Sequence, residues 1–403
     1  MSALSGSYGW TSTLKSVKYG PGSVASALPA LIKLLGVKKA LIVTGYSLHT
    51  KTDVVKKVEE ILKANGSYAG TFIDFGEHTP VAGINACIEK YRATGADVIV
   101  ALGGGSPIDG AKAVRYRIHE QTGAAPPPQI AIPTTLSAAE YSIGAGYTDD
   151  NGDKVVVSHQ FLAPAGIILD AKLTLPTPAR LWLSTGICAL DHSVETLYRP
   201  LISHPVKILC YAAMADFFKY LPISKADSTD VEARQKLLVA AWMSLWPTYF
   251  EEYRFVRSLL SWSCSSANNY NCIPTTTNSA LGPSHALGHR LGAKYSIPHG
   301  ITSCMTLPPV VGLQSRVAAK EDKEYLANAL FYLRESSIGS VEKDILKLSA
   351  LISGLVEQLG LKSSLSEYKV PKEDFKRLAD GSDDLVDSIY CRTFRLGLLP
   401  ENS

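Results

Sequence analysis

Between Lys39 and Pro133, four short runs rich in β-branched and apolar residues alternate with helical patterns, and that alternation leaves few folds open. Lys39-Ala-Leu-Ile-Val-Thr-Gly45, Tyr68 to Asp74, Asp97-Val-Ile-Val-Ala-Leu102 and Gln129-Ile-Ala-Ile-Pro133 read as strands. Val54 to Lys63 and Val81 to Thr94 carry helical spacing between the first three. Strands separated by helices imply parallel βαβ units in an open sheet. After Asp170 the character changes. Long helical patterns cover Leu181 to Leu197, Pro205 to Tyr220, Asp230 to Trp246 and Ala280 to Leu291. Others follow at Lys320 to Arg334, Ser340 to Gly360 and Pro371 to Asp380. The expectation is an α/β domain with a parallel sheet over residues 1–180 and an all-helical domain over 181–403.

Composition removes several function classes. The 403 residues are 46% hydrophobic, enough for one large domain or two packed ones. A net charge of +3 with no block of like charges argues against a nucleic-acid or anionic-membrane partner. No uninterrupted apolar run reaches membrane-spanning length, and the first twenty residues lack the apolar core of a signal peptide. The 7 Cys are scattered without a C-x-x-C pair, as suits reduced thiols in a cytoplasmic enzyme.

Gly103-Gly104-Gly105-Ser106-Pro107 follows the third strand and opens a helix. Successive glycines let a backbone approach a ligand closely, and their N–H groups at a helix N-terminus favour an anion such as a pyrophosphate. Ser106 is expected to cap that helix, with Asp109 completing the capping box. The loop is neither G-x-G-x-x-G nor a Walker A sequence.

Two helical patterns concentrate the histidines. His285 and His289 are four apart and share a helix face, as do Cys188 and His192. His299 is expected in a Pro-His-Gly turn. Grouped imidazoles mean either a metal site or proton transfer. The polar, uncharged run from Ser261 to Ser279 reads equally as a pocket lining or an exposed loop.

The chain resembles the iron-containing alcohol dehydrogenase family, which shares the dehydroquinate-synthase-like fold and includes the maleylacetate reductases. Tyr19-Gly20-Pro21-Gly22, Gly103 to Lys112, Ile132-Pro133-Thr134-Thr135 and Ile168-Leu169-Asp170 carry the resemblance. The His192 helix, the His285/His289 helix and Pro298-His299-Gly300 complete it. The resemblance implies an N-terminal dinucleotide-binding domain, a helical substrate domain, a cleft between them, NAD or NADP as cofactor, and a homodimer. Gly104, Gly105 and Ser106 would hold the pyrophosphate, with Asp109 near the nicotinamide. Thr134, Thr135 and Ser137 would contact the cofactor, and Lys154 would lie near the ribose. His289 would relay a proton beside the nicotinamide. Of the family's metal ligands, an Asp and three His, the histidines correspond to His192, His285 and His299.

The chain departs from that pattern in three places. The Asp ligand position is Cys188, while Asp191 sits roughly 100° around the helix from His192. A zinc or iron site would therefore use Cys188, His192, His285 and His299. The maleylacetate reductase branch works without a metal, and the expectation here is no metal. Leu136-Ser137-Ala138-Ala139-Glu140 replaces a glycine-bearing run. Gly45 ends the first strand where NAD-preferring relatives carry an Asp, so NADP should be tolerated. The expected function is NAD(P)H-dependent reduction of a carbonyl or enone of a small molecule, with His289, His192, His285 and His299 catalytic. The alternative is non-redox chemistry on the same fold: dehydration, cyclisation or isomerisation.

Overall fold

The computed structural model describes residues 6–8, 13–75, 81–148, 154–199, 202, 204–245, 282–371 and 373–374. They form two compact units: Met1–Pro178 with Asp227–Trp242, and Ala179–Ala226 with Met243–Ser403.

The first unit is a seven-stranded sheet. Its strands are β1 (Gly6–Tyr8), β2 (Ser16–Tyr19), β3 (Ala40–Thr44), β4 (Tyr68–Phe72), β5 (Val98–Gly103), β6 (Gln129–Pro133) and β9 (Gly166–Leu169). The order is β1-β2-β9-β6-β5-β3-β4, parallel throughout except for β1 on β2. β7 (Gly144–Thr148) and β8 (Lys154–Ser158) pair as a separate antiparallel hairpin.

Every residue of β3, β5, β6 and β9 is buried, because helices cover both faces. Alternation sorts their side chains into two cores. Leu41, Val43, Ile99 and Ala101 pack with α4 (Val81–Thr94) and α5 (Gly105–Thr122). Ile42, Val98, Val100 and Leu102 pack with α1 (Val24–Leu35) and α3 (Val54–Ala64). α2 (Tyr46–Lys51) follows β3 directly. The Tyr19–Gly22 and Ile168–Asp170 motifs prove to be one structure. Asp170 caps α6 (Ala171–Thr174) through Lys172 N and also accepts from Gly22 N at 2.7 Å and Val24 N at 3.0 Å.

Residues 227–242, expected with the helical domain, return to the first unit through α9 (Val231–Ser244). Gln235 bonds Ala171 N and Leu169 O, and buried Arg234 donates to Thr174 O at 2.7 Å. A helical period says that a helix exists, not which core receives it.

The second unit contains α7 (Ala179–Tyr198), α8 (His204–Ala226), α10 (Pro283–Tyr295), α11 (His299–Val317), α12 (Lys320–Tyr332) and α13 (Val341–Gln358). Here the turn expected at His299 is corrected. Pro298 precedes α11 as its N-cap residue, and His299 is the first helical residue. Pro308 and Pro309 argue against a helix in this stretch, yet α11 runs through both. Its packing outweighs the lost hydrogen bonds, since Ile301, Leu307, Val310 and Val311 are buried. Gly300 does not serve a bend. A β-carbon there would lie 2.6 Å from the Ser184 carbonyl carbon, so its absence lets α11 press against α7.

Two substitutions separate these effects. Gly300→Ala should cost about 3 kcal/mol through overpacking. Gly354→Ala, at an exposed helical position with nothing within 4 Å, should be neutral or stabilising by up to about 1 kcal/mol. Urea denaturation of both variants checks this, and equal effects would refute the packing role.

Candidate active site

The expected cofactor residues gather at the carboxyl ends of β3, β5 and β6. The chain steps from β3 to β4 on one side and from β4 across to β5 on the other, which makes the β3/β5 edge a switch point where ligands bind. Gly103 there has φ +143°, and a β-carbon would meet Pro107 at 3.0 Å. Thr134 N donates to Gly103 O at 2.8 Å, tying the loop after β6 to the glycine loop. A β-carbon on Gly104 would lie 3.1 Å from Thr135 Cγ2, and one on Gly105 would lie 3.4 Å from Ser137 Oγ. Thr135 and Ser137 therefore stand against the glycines, as a shared anion-binding surface requires. They also explain why glycine is needed there before any ligand arrives.

The expected capping box is corrected. The N-cap is Gly104, it makes no side-chain cap bond, and exposed Ser106 is already the second residue of α5. Gly104 thus offers no side chain to cap the α5 N-terminus and compete with an anion for its first N–H groups. Asp109 turns instead to Lys112, whose Nζ lies 3.1 Å away. Lys112 is fully buried and also donates to Ala139 O at 2.6 Å, Ser142 Oγ at 2.8 Å and Gly144 O at 3.1 Å. It pins the 139–144 segment to α5. Ala138, where φ is +58°, takes a backbone shape that favours glycine. Gly45 pairs through an isolated bridge with exposed Asp74, so an acidic residue does stand beside this strand end. Sequence spacing could not show it. Lys154 opens β8, paired with Thr148. The Ser261–Ser279 run lies outside the described residues.

In the second unit the four histidines converge. The His192 and His285 rings stack with centroids 4.6 Å apart and planes 14° apart. His285 is 5.5 Å from His299 and 6.3 Å from His289, and His289 is 5.1 Å from His299. His192 and His285 are buried, whereas His289 and His299 are exposed. The group thus runs from interior to solvent.

Sequence reasoning singled out Cys188 and His192 and weighed Asp191 only as a stand-in ligand, without bringing Asp191 or Glu195 to His285. Glu195 Oε2 lies 2.8 Å from His285 Nδ1, and Asp191 Oδ2 lies 3.5 Å from it. Glu195 Oε1 accepts from Ser284 N at 2.7 Å, and Ser284 Oγ donates to Asp191 at 2.7 Å. The available signal was the spacing 188, 192, 195, which places all three on one helix face. Asp191 does not replace the missing ligand at 188. It joins a second cluster with Glu195 and His285.

Burial governs the electrostatics. It raises Glu195 to about 7 and lifts Asp191 well above the carboxylate range, with Glu195 adding to the latter. Burial also pushes the Cys188 thiol up, reinforced by Asp191. It drives His192 and His285 well below the ordinary imidazole value, and neighbouring His285 and His289 respectively add to this. Donor atoms of Cys188, His192 and His285 lie within 4.8 Å of one another. His192 Nδ1 and His285 Nε2 are buried without hydrogen-bond partners among the described residues. Such orphaned nitrogens fit a metal ion.

Glu140 gives a pH test of the cofactor loop. It is buried, and burial raises it to about 7 against the lowering effect of its own N–H and Lys112. Its carboxyl takes up a proton on folding between the unfolded value of 4.5 and about 7. Stability is therefore lost as pH rises through that window, by at most about 1.4 kcal/mol per pH unit. Glu140→Gln should flatten this fall and leave the variant more stable than the native chain at pH 8. Parallel denaturation profiles would contradict it.

Comparison with known proteins supplies the family. Residues 15–171 match the model described as iron-containing alcohol dehydrogenase. Residues 274–390 match that of the Fe-containing alcohol dehydrogenase family, C-terminal. Dehydrogenase FUM7 of Gibberella moniliformis is 28% identical over 348 residues, 78% of each chain. A maleylacetate reductase of a Rhizobium species is 27% identical over 382 residues, covering 92% of this chain and 90% of that one. The crystal structure of maleylacetate reductase from Rhizobium sp. superposes with a TM-score of 0.71 at 24% identity, covering 97% of each chain. Alcohol dehydrogenase from Oenococcus oeni gives 0.76 at 23% identity over 94% of this chain and 97% of that one. Two matched models, a parallel-sheet unit, a helical unit and a histidine group in its expected order agree: the chain belongs to the iron-containing alcohol dehydrogenase family, and with it to the oxidoreductases acting on alcohol and carbonyl groups.

Proposed function

We propose that this chain is an NAD(P)H-dependent reductase of a small carbonyl or conjugated enone compound. The observation that carries this reading is the graded histidine group, two imidazoles buried and two exposed, in a chain that also holds a glycine loop at a sheet switch point. Gly104, Gly105 and Ser106 hold the cofactor pyrophosphate, with Thr134, Thr135 and Ser137 beside it, Asp109 toward the nicotinamide and Lys154 toward the ribose. Gly45 places no carboxylate of its own at the ribose, so NADP is accepted. Asp74 opposite it keeps NAD acceptable too. The similarity to maleylacetate reductases favours an oxidised, acidic small molecule as substrate. The reduced-thiol cysteine pattern and the family resemblance support a cytoplasmic homodimer. Among the described residues, no helix is long and apolar enough to cross a membrane.

A bound reduced nicotinamide would supply the hydride, and the oxygen of a carbonyl reduced here would gain negative charge. That oxygen needs a proton. His289 and His299 are exposed and exchange protons with water, so one of them donates. His192 and His285 are neutral at working pH because burial disfavours their charged forms, and they orient substrate rather than acidify it. Cys188, His192 and His285 would hold a metal, with the His299 ring 5.5 Å from that of His285, and the metal would supply Lewis-acid polarisation of the substrate oxygen.

The non-redox reading retains support from one feature: Ala138 and Ser137 stand where the family's loop is glycine-rich. NADPH and NADH titration by fluorescence tests the cofactor, and net NADPH consumption at 340 nm with model carbonyl compounds divides the two readings, since a non-redox reaction consumes no reduced nucleotide. Saturable binding of both is expected, and binding of neither would overturn the reductase reading. His289→Ala and His299→Ala should each lower turnover, with at least one falling about 100-fold or more, while melting temperatures hold. Unchanged turnover in both would remove the histidines from the chemistry.

A further inference from the structure

We propose that Cys188, His192 and His285 form a nitrogen–sulfur site for a zinc-type divalent cation, selected over iron by the Cys188 thiolate, with Glu195 as the positioning residue for His285. This does not depend on the hydride-transfer reading, and it departs from both the iron in the family's name and the metal-free expectation raised by the maleylacetate reductases.

The donor set comes first. One ligand atom from each of Cys188, His192 and His285 lies within 4.8 Å of the others, and all three residues are buried. A buried polar atom without a partner is uncommon, and among the described residues this cluster has three, His192 Nδ1, His285 Nε2 and Asp191 Oδ1. A cation held by the imidazoles would supply a partner they lack.

The site requires one tautomer. Glu195 Oε2 is 2.8 Å from His285 Nδ1, and with Glu195 as acceptor Nδ1 carries the hydrogen. Nε2 is then a bare lone pair, the form that binds a metal. A carboxylate behind a ligating imidazole fixes both ring and tautomer. Glu195 is itself held by Ser284 N at 2.7 Å, and Gly282 leaves room for it, since a β-carbon there would fall 2.4 Å from the Glu195 carboxyl. Asp191 adds a second buried carboxylate, 3.5 Å from the same nitrogen. Together they set two carboxyl groups behind His285, whose ionised forms a bound cation would favour.

Metal class follows from Cys188. A thiolate is a soft ligand, and with two imidazoles it suits zinc, whereas iron in an oxygen-bearing site relies on a hard carboxylate. Three protein ligands also match the pattern of a catalytic zinc, which keeps one position open. Binding exchanges the thiol proton for the metal: the S–H bond breaks, an S–metal bond forms, and the proton passes to solvent.

The test uses the full chain, stripped with chelator and loaded anaerobically with Zn²⁺, Co²⁺ or Fe²⁺. One equivalent of zinc should be retained after desalting, in preference to iron under competition. Co²⁺ should give an intense near-ultraviolet thiolate-to-cobalt band, a readout independent of activity. Cys188→Ser should abolish that band, and Cys188→Asp should shift competition toward Fe²⁺. Glu195→Gln should weaken zinc affinity by about 10- to 100-fold. Because the cobalt spectrum is read on the unmutated chain, poor folding of a variant does not leave the proposal untested. No retained metal, a cobalt complex without the thiolate band, or a native preference for iron would each overturn it. NADPH titration of the stripped chain reports separately on the reductase reading.

Discussion

The hydrogen bond between Glu195 and His285 organises the helical unit's chemistry. It joins α7 to the first turn of α10 at 2.8 Å, within a group shielded from water. Ser284 N on the other Glu195 oxygen and the Ser284 hydroxyl on Asp191 extend the connection. In a low-dielectric interior, such a network is strong when its members are partnered and costly when one is removed. Removing Glu195 would leave His285 Nδ1 without its acceptor and α10 without a staple at its start. The two orphaned nitrogens, His192 Nδ1 and His285 Nε2, are what the network leaves free for work.

Glycines prepare both halves of the chemistry, by different physics. Gly104 and Gly105 admit Thr135 and Ser137, so two loops meet at the end of the sheet where α5 begins without a side-chain cap. Gly282, Gly288 and Gly300 instead let side chains or a neighbouring helix come closer than a β-carbon would permit, to Glu195, Thr302 and Ser184 respectively. Gly300 thereby sets where His299 begins its helix. Lys112 completes the first half, drawing Ala139, Ser142 and Gly144 onto α5 with no solvent contact.

Much of this was legible in the sequence, for reasons specific to each element. β3, β5 and β6 announce themselves because a doubly covered strand is apolar at nearly every position, Thr44 and Gln129 being buried polar exceptions at strand ends. The glycine loop is legible because strand, glycines and helix follow without a gap. Cys188, His192, His285 and His289 show helical spacing directly. Three features were hidden. α11 carries Pro308 and Pro309, which local rules place outside helices, and only its burial reveals why it forms. Residues 227–242 look like any other helix, and their place against Leu169, Ala171 and Thr174 depends on Arg234 and Gln235 reaching across the fold. The pairing of Asp191 and Glu195 with His285 was hidden, because nothing local says that they are buried or that His285 arrives from ninety residues away. Asp74 beside Gly45 is the same kind of case: an acid brought to a strand end by pairing rather than by position in the chain.

The most direct measurement is a crystal structure of the chain soaked with NADPH. Density for the pyrophosphate against the backbone N–H groups of Gly105 and Ser106 at the start of α5 is the predicted result. A nucleotide bound elsewhere, or a glycine loop left bare at saturating NADPH, would contradict it.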